Sequence, residues 1–198
     1  MNNVNVNPTF TNPTPATSVS YKSTFDSVTN SCFILGLAAL YDFLSLSNEM
    51  ANAKFNNMRA KSDMSRASQE KANIMDSEIA KVNNIKDPNK AKAQVNREVI
   101  DFLEKEGIKI NGKTPTKFFE DETGKKGDAA FSAPIDKGAL AAVKAALEMK
   151  ANRDSDFVNE AQLQLQKIMQ TYNVTTNLVN SMQTMLAEIN KTIAQGIR

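Results

Sequence analysis

ALAAVKAALEMKANRDSDFVNEAQLQLQKIMQTYNVTTNLVNSMQTMLAEINKTIAQ, residues 139 to 195, decides how the rest of the chain is read. It holds no proline and no glycine, so nothing in it interrupts a helix. Val158, Ala161, Leu165, Ile168, Tyr172, Val179, Met182, Leu186, Ile189 and Ile193 recur at alternating steps of three and four, with Thr175 filling the single internal break. Steps of three and four average 3.5 residues, which holds one seam toward a partner helix. An unbroken helix over this stretch is roughly 85 Å long at 1.5 Å per residue, more than the diameter of a compact domain of this size. Its seam therefore needs another long helix, from the same chain or from another copy.

The chain itself offers one. Cys32–Leu44 (CFILGLAALYDFL) is the most apolar stretch; with Asp42 inside it, it is too short for a membrane span and reads as a buried helical segment. Cys32 reads as a small buried apolar residue rather than a reactive thiol. Phe33, Leu37, Leu40 and Leu44 start a helical pattern that continues through Ala51, Phe55 and Met58, then weakens through Met64, Ala67, Ile74, Ile79 and Val82, with no glycine or proline from Leu37 to Asp87. Arg59, Lys61, Asp63, Arg66, Glu70 and Lys71 alternate in sign, as on a solvated face. The expected fold is all-α: two long antiparallel helices, 32–82 and 139–198, form a coiled-coil hairpin, with a smaller mixed or irregular excursion over 83–138 between them.

Residues 1–31 carry two charges, Lys22 and Asp26, and are rich in Asn, Thr, Ser and Pro. That composition predicts a disordered tail, either an ordinary terminus or an uncleaved export address, without the basic start and apolar stretch of a Sec signal peptide. NNIKDP (83–88) reads as a breaker. A short amphipathic helix follows, with Val95, Val99, Phe102 and Leu103 on one side and Gly107 as its C-terminal glycine. Ile108 and Ile110 alternate with lysines, as in a short strand or hairpin, and EDETGKKGD (120–128) reads as an exposed loop.

The inventory excludes several chemistries. Among 198 residues there is no histidine and a single cysteine, so Ser-His-Asp triads, Cys-His dyads, Cys/His zinc sites and an internal disulfide are ruled out. A net charge of +2 from 24 basic and 22 acidic residues lacks the basic excess of a nucleic-acid binder. Gly107–Thr114 (GIKINGKT) matches the phosphate-loop pattern, but a charged DFLEKE precedes it where a buried strand is required. Pro115 follows it and biases Thr114 away from helix, so the stretch reads as a turn about Asn111-Gly112. The carboxylate pairs Asp121/Glu122 and Asp154/Asp156 lie outside apolar runs and read as solvated charge. No catalytic, metal or cofactor site is expected.

Between Lys167 and Glu188 lie twenty uncharged residues, IMQTYNVTTNLVNSMQTMLA. Asn, Gln and Thr fill the positions off the seam, which argues against a membrane span and for protein contact on more than one side, or for a lining exposed to passing cargo.

The apolar stretch before ANAKFNNM (51–58), then SRASQEKANIMDSEIAKV (65–82), then AALEMKANRDSDFVNEAQLQLQKIMQ (145–170) resemble the EspA/SseB-type filament proteins of bacterial type III secretion systems. The resemblance covers about residues 33–195 and is weakest over 107–134. It implies a secreted, non-catalytic subunit that polymerises with itself into a hollow helical filament at the bacterial surface. Such filaments extend the secretion needle and conduct effectors toward a pore made by translocator proteins in the host membrane, so membrane contact is indirect. It also implies a dedicated chaperone that holds the subunit in the cytoplasm before export. A second reading of the helical pattern alone is an intracellular coiled-coil adaptor that does not polymerise.

Burial of Leu165 or Ile168 along the seam is worth about 1.5–3 kcal/mol each. Aspartate there adds the cost of an unpaired buried charge. Leu165→Asp or Ile168→Asp is expected to abolish filaments while the protein is still made, and replacement of Gly124–Asp128 to leave them intact. Electron microscopy of the two sets decides: normal filaments in the seam variants would remove the seam from any role in assembly.

Overall fold

The computed structural model describes residues 28–83 and 91–196; the readings made above for residues 1–27 and 84–90 lie outside it, as do those for the side chains of Cys32 and Ile193. In order, the elements are α1 (Val28–Asn83), β1 (Lys92–Ala93), α2 (Arg97–Lys105), α3 (Pro115–Thr123), α4 (Asp128–Phe131), β2 (Ile135–Asp136) and α5 (Lys137–Gly196). The two long helices are each unbroken. α1 begins at Val28, so residues 28–31 belong to it rather than to a tail, and α5 carries Gly138 within its first turn. They run antiparallel: Lys61, Ser65 and Asp76 of α1 meet Asp154, Ala151 and Lys144 of α5.

The chain divides into two compact units, and each takes a stretch of both long helices. One comprises residues up to Asn56 with Ala161 onward; the other is Asn57–Glu160.

In the Asn57–Glu160 unit, the mixed segment between the helices packs into a core with them. Val99, Ile100 and Leu103 of α2, Phe118 and Phe119 of α3, and Ala130 and Phe131 of α4 are buried with Ala72, Met75 and Val82 of α1 and Leu140, Val143 and Leu147 of α5. Phe119 meets Phe118 and Phe131 edge to face, with ring centroids 5.6 Å apart in both pairs. β1 and β2 form a two-residue antiparallel ladder, Lys92 opposite Asp136 and Ala93 opposite Ile135. Two-residue strands leave no alternation to read.

Local chemistry accounts for the turns. Gly107 ends α2 at φ 60°: its N–H donates to the Glu104 carbonyl at 3.1 Å and that of Ile108 to the Leu103 carbonyl at 2.9 Å, a Schellman closure with Ile108 buried. Asn111 and Gly112 have φ of 50° and 80°, and Ile110 and Lys113 exchange two backbone hydrogen bonds at 2.9 and 3.0 Å across them. That is the two-residue hairpin expected of an Asn-Gly pair. The Lys113 ammonium lies 2.6 Å from Asp121; this bond holds Lys113 above its ordinary pKa and Asp121 below the usual carboxylate range.

Thr114 is extended, with φ −65° and ψ 153°, as expected of the residue before Pro115, and Pro115 starts α3 as N1, where its fixed φ and missing N–H cost nothing. Two expectations are corrected here. Glu120–Thr123 form the last turn of that helix, so the exposed loop is shorter, Gly124–Gly127. Asp154 is not solvated: its side chain is 4% exposed, 3.3 Å from Lys61 and ion-paired with Lys150 one turn earlier on its own helix.

Asp154 occupies a seam position of α5. The seam of α1 in this unit runs Met58, Lys61, Ser65, Ser68, Ala72, Met75, Ile79, Val82, all buried or half-buried. It is one residue out of step with the expected Met64, Ala67 and Ile74. Small and hydroxyl side chains sit where the helices meet, with the Ser65 hydroxyl donating to the Ala151 carbonyl at 2.9 Å, and counting apolar residues does not detect such positions.

A polar group in a seam fixes register at some cost in stability. Asp154→Ala strands two ammonium groups and is expected to lower stability by about 1–3 kcal/mol, discounted because Lys61 reaches solvent. Lys61→Met and Lys150→Met with Asp154→Leu is expected to match or exceed the parent. Urea denaturation of the full chain tests this; a triple variant as unstable as the single one would show that the ionic layer contributes more than register.

Candidate assembly surface

The sequence-derived site residues lie on facing sides of the two long helices. On α1, Phe33, Leu37 and Leu40 are half-buried and Leu44 is buried. On α5, Ala161 and Val179 are buried, and Leu165, Ile168, Tyr172, Met182, Leu186 and Ile189 are half-buried, in the unit that holds all of these; Val158 is half-buried in the other unit. Gly36 belongs to the same contact: a β-carbon there would stand 3.2 Å from the Met182 methyl. The apolar stretch of α1 and the seam of α5 thus cover one another within the chain. Other side chains are left for contact between copies.

Those side chains are arranged by offset from the seam. Each residue advances a helix by about 100°. In an antiparallel pair the twofold relation between the helices is perpendicular to the plane of their axes. Positions at the same offset from the seam on the two helices therefore fall on the same broad face. Tyr41 and Gln183, each one residue after a seam position, confirm this with a hydrogen bond of 2.7 Å from the Gln183 amide to the Tyr41 hydroxyl oxygen.

That face, one residue after the seam, is rich in amides. It carries Asn48 and Asn52 from α1 and Gln162, Gln166, Asn173, Asn180 and Asn190 from α5. The opposite face, one residue before the seam, is apolar. It carries Phe43, Leu46 and Met50 from α1, ahead of Leu44, Ser47 and Ala51. From α5 it carries Val174, Leu178 and Met185, ahead of Thr175, Val179 and Leu186. All six are exposed, Val174 at 67%, Leu46 at 54% and Leu178 at 48%. Gly36, Ala39 and Ala53 continue the stripe on α1 with small side chains.

The hydroxyls along α5 add to its apolar character. Thr171, Thr175, Thr176, Ser181 and Thr184 each donate to the carbonyl four residues earlier, at 2.9–3.0 Å. Donors spent inside the helix ask less of water, so the uncharged segment is less hydrophilic than its composition implies.

Reading the sequence missed this second stripe. Its signal was present: Phe43, Leu46 and Met50 are spaced by three and four, and Val174, Leu178 and Met185 by four and seven, one residue ahead of the first seam. Interleaved with Thr171 and Ser181, they pass for a polar helix.

Residues 3–192 match the family described as EspA-like secreted protein. The secreted effector protein SseB of Salmonella typhimurium (strain LT2) is 34% identical over 163 residues, covering 82% of this chain and 79% of that protein. Among solved structures, the chain is similar to the one described as the cryo-EM structure of the enteropathogenic Escherichia coli type III secretion system EspA filament. The match has a TM-score of 0.53 at 25% identity and covers 86% of this chain and 97% of that one.

Adjacent residues on α5 separate the two roles. Val179 is 3% exposed in the seam, so Val179→Asp is expected to cost several kcal/mol and unpair the helices of its unit. Leu178→Asp is expected to stay within about 0.5 kcal/mol of the parent. Thermal melting followed by circular dichroism reads both; equal losses would contradict the assignment of seam and face.

Proposed function

The chain belongs to the EspA-like family of secreted proteins, and we propose that it is a self-assembling structural subunit of an extracellular type III secretion filament. One observation carries the reading: the likeness to the filament subunit spans 97% of that solved chain, so the long-helix architecture is matched as a whole rather than in one segment. The surface chemistry agrees. A protein that works alone in water keeps large apolar patches off its surface, whereas the pair formed by Val28–Asn56 and the C-terminal part of α5 carries an apolar stripe along one side.

In this reading the subunit is exported and polymerises outside the cell. The polymer extends the secretion needle and conducts effectors toward a pore of translocator proteins, so the subunit meets the needle and the pore and touches the host membrane indirectly. A cytoplasmic chaperone covers its apolar surface before export. The role asks for shape and contact rather than chemistry, and the subunit is proposed to have no catalytic function.

Negative-stain electron microscopy of the purified full chain, over a range of concentrations, tests the proposal. Filaments of uniform diameter that appear above a threshold concentration are expected. A monodisperse monomer or dimer at high concentration, with no polymer, would favour the intracellular adaptor instead.

A further inference from the structure

We infer that the apolar broad face of the unit built from Val28–Asn56 and the C-terminal part of α5 is covered by a second copy of this chain, while the opposite amide-rich face stays in water. The inference rests on the self-assembly reading above and deepens it by assigning the surface.

Four observations bear on the occupant. First, the face is built by both helices. Phe43, Leu46 and Met50 stand beside Val174, Leu178 and Met185, all exposed and all at the same offset from the seam. Second, its size fits a protein interface. Gly36 to Ala53 spans about 25 Å at 1.5 Å per residue, and two helices side by side are about 20 Å across. Two such footprints bury roughly 1,000 Å² together, the lower bound for a specific interface. Third, no charge interrupts the stripe on α5 from Thr171 to Met185, but opposite charges bracket it at the same offset: exposed Lys167 at one end and exposed Glu188 at the other, three heptads apart. A copy shifted along the helix by that length brings its Lys167 beside this Glu188, so one surface carries both halves of the contact. A partner of other chemistry would have no reason to match both ends. Fourth, a lipid surface is a poor occupant: among the described residues no helix is long and apolar enough to cross a membrane, and the face lacks the lysine and arginine border of an interfacial helix.

The amide face provides the contrast. It is equally uncharged and, except for half-buried Asn48, exposed; Ile34 and Met169, each 42% exposed, lie on it too, but the amides named on it bring donors and acceptors that water satisfies without loss. Burial of that face would require matched partners for each amide; burial of the apolar face requires none.

The test compares the two faces in the full chain. Leu46→Lys and Leu178→Lys place a charge on the apolar face from α1 and from α5; Asn180→Lys and Gln166→Lys place the same charge on the amide face. All four positions are exposed, so helicity and melting temperature should match the parent; should a lysine variant lose helicity, Leu46→Gln or Leu178→Gln replaces it. The concentration at which polymer first sediments is then measured. The apolar-face variants are expected to raise it at least tenfold, with Leu178→Met restoring the parent value, and the amide-face variants to leave it within about twofold. If the parent polymerises and the apolar-face variants polymerise equally well, the face is wrongly assigned although the filament reading stands. The same holds if only the amide-face variants fail. If the parent never polymerises, the filament reading falls and this inference falls with it.

Discussion

The pairing of α1 with α5 is the constraint on which everything else depends. Neither helix can stand in water alone, because each carries an uninterrupted seam at steps of three and four. Their pairing spends one face of each helix and fixes what remains. In the Asn57–Glu160 unit the pairing is joined by α2, α3, α4 and a two-residue ladder, which bring aromatic rings to a common core. Among the described residues of the other unit no further element joins the pair, and they leave two broad faces to the surroundings. That difference in how the two stretches of helix are clothed separates a unit that holds itself together from one that presents surface.

Within the first unit the seam is not uniformly apolar. Asp154, Lys61 and Lys150 form an ionic layer, and Ser65 and Ser68 sit between the helices; the Ser68 hydroxyl is the buried side-chain group without a hydrogen-bond partner among the described residues. Such positions give up stability that leucine would provide. What they supply is discrimination: a helix pair slipped by one heptad would bury Asp154 without Lys61. A long two-helix pair with a purely aliphatic seam would have many registers of similar energy, and a subunit that polymerises has to present the same surface in every copy.

The long helices were legible in the sequence because periodicity over fifty residues is a strong signal and because proline is absent from both and glycine is confined to Gly36 near the start of α1 and to the two ends of α5. The Asn111-Gly112 hairpin and the Gly107 cap were legible because each requires a backbone conformation that those residues supply. Other features were not. Asp154 looks solvated when its neighbours in sequence are counted, since the residue that buries it, Lys61, is distant along the chain. Pro115 reads as a helix breaker or a helix starter depending on whether a turn or a strand precedes it. β1 and β2 are too short to carry a pattern. The stripe of Val174, Leu178 and Met185 was hidden by the stronger seam one residue away, and by Thr and Ser side chains whose hydroxyls bond back to their own helix. Apolar residues at every seam position drew the assembly role to the seam. The structure covers the seam within the hairpin and leaves the neighbouring stripe exposed, where the inference above puts the contact between copies.

In the polymer α5 is expected to carry three stripes, of which two are covered. A scan of single spin labels from Thr171 to Met185, in the assembled protein with Cys32 replaced by serine, reads side-chain mobility residue by residue. Immobile labels are predicted at the seam positions Tyr172, Thr175, Val179 and Met182, and again one residue earlier at Thr171, Val174, Leu178 and Ser181. Mobile labels are predicted at Asn173, Thr176 and Asn180. A profile in which the seam alone is immobile, with Val174 and Leu178 as mobile as Asn180, would contradict the account.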